Sequence, residues 1–92
     1  MSNTEDIVKE LDTFKNSLRQ YLGYDSQVGG LVSRLIKNLE EAQELLRETT
    51  SKNIQEAYVK VQTVRDALTP YMSYVPEMVR TINLLLEKVS KL

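Results

Sequence analysis

Glu40, Glu44 and Glu48 stand at i, i+4 and i+8 with Glu41 beside them, a spacing that sets carboxylates along one helix face. Inward-facing helical carboxylates can build a di-metal centre, but that arrangement also takes a histidine from each Glu-x-x-His pair. The chain has no histidine and no cysteine. The acids therefore read as a solvated face, with docking to a basic partner as the other use of it. No metal is expected. Without imidazole or thiol, catalysis would fall to carboxylates, lysines, tyrosines and hydroxyls, and most of the charged ones lie off the apolar seam of the helices. The composition does not suggest an enzyme.

Tyrosine is the more informative residue. Tyr21 and Tyr24 flank one candidate turn, and Tyr71 and Tyr74 flank another, with Met72 between them. In an up-down-up-down bundle these two turns share an end, so four of the five tyrosines would meet in one aromatic tip. Tyrosine joins apolar area to a hydroxyl and is enriched in binding hot spots. The plainer reading is that the rings close the end of a small core while their hydroxyls stay in water.

The elements that would position these groups follow from periodicity. Ile7, Leu11, Phe14, Leu18 and Tyr21 step by fours and threes, as do Val28, Val32, Leu35, Leu39, Ala42 and Leu46. Ile54, Ala57, Val61, Val64 and Leu68 repeat the pattern, and Met72, Val75, Val79, Ile82, Leu86 and Val89 extend it. Each segment can bury a stripe against its neighbours, which predicts a small all-α antiparallel bundle forming one domain over residues 1–92.

The first helix is expected from about Asn3 to Leu22, with Ser2 and Glu5 in capping-box spacing and Gly23 as a left-handed stop. The second should start near Asp25 or Ser26 and end near Thr49. Gly29 and Gly30, each costing about 1 kcal/mol relative to alanine, leave two readings at its front: a loop, or a close approach of another backbone. Asn53 and Glu56 suggest the cap of a third helix running to about Leu68. Pro76 suits the first turn of a fourth. A turn between Pro70 and Pro76 is preferred because both prolines disfavour helix in the residue before them. The unbroken apolar phase keeps open a single long kinked helix, and so three helices in all.

The fourth helix has the broadest apolar face, with Met78, Val79, Ile82, Leu85, Leu86, Val89 and Leu84 beyond it. Such a face implies a central position or a partner chain. The expected partner surface is thus Tyr21, Tyr24, Tyr71, Met72, Tyr74, Met78, Leu84 and Leu85. The partner would be another protein chain or a second copy, since a small chain gains core by dimerising.

The segment Leu22-Gly23-Tyr24-Asp25-Ser26-Gln27, followed by Leu31-Val32-Ser33-Arg34-Leu35, resembles the attachment motif of acyl and peptidyl carrier proteins, which are small four-helix bundles. The resemblance implies that Ser26 bears a phosphopantetheine arm with Asp25 as its neighbour. It covers about fifteen residues, and Gln27 stands where the family has an aliphatic residue. As an ordinary helix N-cap, Asp25-Ser26 needs no cofactor, and none is expected. In size and helicity the chain is also similar to small helical partners of type VII secretion substrates and to bacteriocin immunity proteins. It lacks the Trp-x-Gly turn of the former. Mutases of the chorismate type show that short helical chains can be enzymes, but they hold a dianion with internal arginines. Here Arg19, Arg34, Arg47, Arg65 and Arg80 lie mostly off the seam.

A net charge of -1, with cations scattered among acids, argues against nucleic acid as a partner. The polar, acidic opening residues do not read as a signal peptide, and the longest apolar run, Leu84-Leu85-Leu86, is far short of a bilayer span. A soluble, cytoplasmic chain with no membrane insertion is expected. Ser90-Lys91-Leu92 resembles the peroxisomal import tripeptide, which gives the alternative compartment in a eukaryote.

Overall fold

A computed structural model describes residues 3–92, so the expected Ser2–Glu5 capping box lies outside the described residues. Four helices form: α1 (Asn3–Arg19), α2 (Ser26–Leu45), α3 (Ser51–Leu68) and α4 (Pro76–Ser90), with a 3-10 turn at Thr69–Tyr71 before α4. There is no strand among the described residues. The prolines separate α3 from α4, as the turn reading requires. Pro76 opens α4 in the first turn, where its missing N–H costs nothing.

The helices pack as a ring, α1 on α2, α2 on α3, α3 on α4 and α4 back on α1. Polar contacts between helices give their directions. Gln43, late in α2, donates to the carbonyl of Val8, early in α1. Lys60 of α3 meets Glu41 of α2, and Lys88, near the end of α4, meets Glu10 of α1. Successive helices are therefore antiparallel, and the α1–α2 and α3–α4 turns lie at one end. The body measures 38 × 21 × 20 Å.

The seam residues form the core. Leu11, Leu39, Ala42, Ala57, Val61, Val64, Ile82 and Val89 have no exposed surface, and Phe14, Leu18, Leu35, Leu46, Leu68 and Leu86 are buried with them. No described helix is both long and apolar enough to cross a membrane.

Several expected helix ends are corrected. α1 stops at Arg19 rather than Leu22, because Gln20, Tyr21 and Leu22 tighten into turns that bond three residues back. No described glycine has positive φ, so Gly23 is not a left-handed stop. α2 ends at Leu45 rather than Thr49, and Leu46 caps it with its side chain buried. The N-cap of α3 is Thr50, whose hydroxyl accepts from the Asn53 N–H at 3.1 Å. Asn53 instead turns its side-chain amide back to the Glu48 carbonyl. Gly29 and Gly30 both lie inside α2. A Cβ on Gly29 would stand 3.1 Å from the Leu22 carbonyl oxygen, so the close approach is by this chain's own backbone. Gly30 faces open space.

Candidate interaction surface

The acidic row does not survive as a row. Because α2 ends at Leu45, Glu48 has left the helix face on which Glu40 and Glu44 stand. Each remaining acid is answered locally by a cation: Glu40 by Lys15 and Arg19, Glu41 by Lys60, and Glu44 by Arg47. Among the described residues no three acids converge as a metal-binding group. Among the described residues Lys15 is the one buried charged side chain, and its ammonium lies 3.3 Å from Asp12 and 3.6 Å from Glu40. Arg19, Arg34, Arg47 and Arg80 are exposed and Arg65 is half-buried, so no arginine is enclosed by the bundle.

The broad face of α4 is covered by its own chain. Met78, Val79, Ile82, Leu85, Leu86 and Val89 are all buried against the rest of the bundle. Met78 and Leu85, expected at a partner surface, belong to the core. The reason is geometric. α4 packs against two helices, α3 and α1, and a stripe serving two neighbours must be wide. Leu84, one residue along and about 100° round the helix, is 54% exposed and stands alone on that face.

The tip behaves differently. Tyr24 is 70% and Tyr74 82% exposed; Leu22, Tyr71 and Met72 are exposed as well. Tyr21 is half-buried against the core, and its ring packs on that of Tyr24 at 5.4 Å with a tilt of 56°. That contact braces Tyr24 in the α1–α2 turn. In the α3–α4 turn, Tyr74 donates its N–H to the Tyr71 carbonyl at 2.9 Å, and Met72 to that of Thr69 at 3.1 Å. The backbone hydrogen bonds are thus spent inside the turns, leaving the side chains outward.

Five of the eight large exposed hydrophobics among the described residues fall in these two turns; Val59, Leu84 and Leu92 are scattered elsewhere. The two turns, residues 20–25 and 69–75, carry one charged side chain, that of Asp25, which caps α2. Leu22 was absent from the expected set. As a turn residue off the seam, it carried the signal that would have found it.

Ser26 is the first residue of α2 and is exposed. Asp25 before it is the N-cap, its carboxylate accepting from the Val28 N–H at 2.8 Å. The pair therefore has a capping role that accounts for both residue types. Two open grooves of about 300 and 700 Å³ lie along the helices, the larger at Leu45, Val59 and Lys60; neither touches Ser26 or the tip.

No family model, curated protein or solved structure matches this chain.

Proposed function

We propose that this bundle is a non-catalytic protein-interaction module that meets its partner end-on, through Leu22, Tyr24, Tyr71, Met72 and Tyr74. The observation that carries the reading is the gathering of exposed apolar side chains into two turns at one end of the bundle, where Asp25 is the one charged residue. Magnitudes describe the kind of association. The bundle's cross-section is 21 × 20 Å, about 400 Å², against about 800 Å² per partner in a standard interface. A contact of about half that size, which must also offset the freedom lost on association, fits a transient one.

The test is photo-crosslinking from single sites in cells that make the protein. A photoreactive residue at position 24 or 74 should capture one discrete partner, or a second copy of the chain. The same group at 59 or 84 should capture little. Equal yields from all four positions would defeat the reading.

A second reading, a carrier-like bundle modified on Ser26, is favoured by the exposure of that hydroxyl at the start of α2. Incubation with a phosphopantetheinyl transferase and coenzyme A should then add the arm's mass, and Ser26→Ala should abolish the gain. An unchanged mass excludes it.

A further inference from the structure

The four helix–helix seams are built in two ways. α2 packs closely on α3, and α3 on α4; Ala42 and Ala57, both fully buried, let the backbones of α2 and α3 approach. α1 instead brings Ile7, Leu11, Phe14 and Leu18, a large side chain at each seam position, and stands further from α2 and α4.

Polar contacts gather instead at the α1–α2 seam, and each other seam has one. Glu40 of α2 holds both Lys15, at 3.6 Å, and Arg19, at 3.9 Å. Gln43 holds the Val8 carbonyl at 3.0 Å, and Lys88 holds Glu10 at 2.7 Å. The α2–α3 seam has the Lys60–Glu41 pair and the α3–α4 seam the Arg65–Asn83 hydrogen bond. The link from α1 to α2 is residues 20–25, largely exposed, with nothing within 4 Å of where a Gly23 Cβ would be.

We infer that α1 is a strap that detaches as a unit from a persisting α2–α3–α4 core, its apolar hold modulated by ionic strength. Glu40, Glu10 and Lys88 are half exposed, so dissolved ions compete for them. Lys15 is the sensitive point. Its side chain is 8% exposed, and it depends on Asp12 and Glu40 to offset lost hydration. Release of α1 returns that ammonium to water, a gain that no group in the apolar core of α3 receives. Detachment also uncovers the apolar faces of α2 and α4 that α1 fills, a surface separate from the tip.

Hydrogen exchange of the full chain, followed by mass spectrometry at low and high sodium chloride, tests this. Amides of α1 should exchange together, at least about tenfold faster than those of α3. High salt should speed α1 a further three- to tenfold or so while leaving α3 unchanged. Glu40→Gln should reproduce the salt effect at low salt, and Lys15→Met should slow α1 and flatten its salt dependence. Exchange of α1 and α3 at one common, salt-independent rate would overturn the inference. So would a Glu40→Gln variant that speeds every helix equally.

Discussion

α4 and the tip both gather apolar side chains, and they meet opposite fates. Six apolar residues of α4 are buried within the chain, while Leu22, Tyr24, Tyr71, Met72 and Tyr74 stay in water. The difference is positional. A helix in a four-membered ring has two neighbours to cover its stripe. A turn at the end of the bundle has no element beyond it, so nothing in the chain can cover an outward side chain there. Apolar width on a helix thus need not call for an outside partner. Apolar side chains in a terminal turn stay in water unless another molecule covers them, which is the ground of the proposed interaction.

The contrast can be broken first within α4 itself. Leu85→Ala should cost about 2–5 kcal/mol of stability, because Leu85 is 1% exposed and leaves a cavity. Leu84→Ala, one residue away, should cost less than about 0.5 kcal/mol. Urea unfolding of the two variants reads both. Comparable losses would mean that α4 is not seated as described.

At the tip, Asp25→Ala should cost about 1 kcal/mol by removing the cap of α2. Gly30→Ala should gain about 0.5–1 kcal/mol, since it is helical and faces open space. Gly29→Ala should forfeit part or all of that gain, because the Leu22 carbonyl stands in the way. The smallest change in stability, within about 0.5 kcal/mol, is expected for Tyr24→Ser with Tyr74→Ser, whose rings support little of the fold. The same double variant should lose crosslinking to the partner. A large drop in its melting temperature would instead make the tyrosines a lid on the core.

The elements were legible in the sequence because they rest on periodicity summed over many residues. The seam from Ile7 to Leu18 and from Val32 to Leu46 is the observed core, and the break around Pro70 and Pro76 is a true turn. Helix ends were less legible because each depends on one competition among neighbours. Thr50 and Asn53 both suit an N-cap, and only the turned chain shows that the Thr50 hydroxyl takes the role while the Asn53 amide reaches back to Glu48. The acidic row failed for the same reason: moving the end of α2 from Thr49 to Leu45 removes Glu48 from it. Met78 and Leu85 looked available because a stripe records how much is buried and not by whom. The tip was readable in outline, since Tyr24 and Tyr74 lie in turns. Its scarcity of charge, with Asp25 alone among the turn residues, becomes meaningful once both turns are known to share an end.

Hydroxyl-radical footprinting of the purified chain, and of the same chain in a native lysate of the cells that make it, tests the tip most directly. Tyr24, Met72 and Tyr74 should react freely in isolation and be protected several-fold in the lysate, with Val59 and Leu84 unchanged as internal references. Equal reactivity of the tip in both settings, or protection spread evenly over all five residues, would contradict the account.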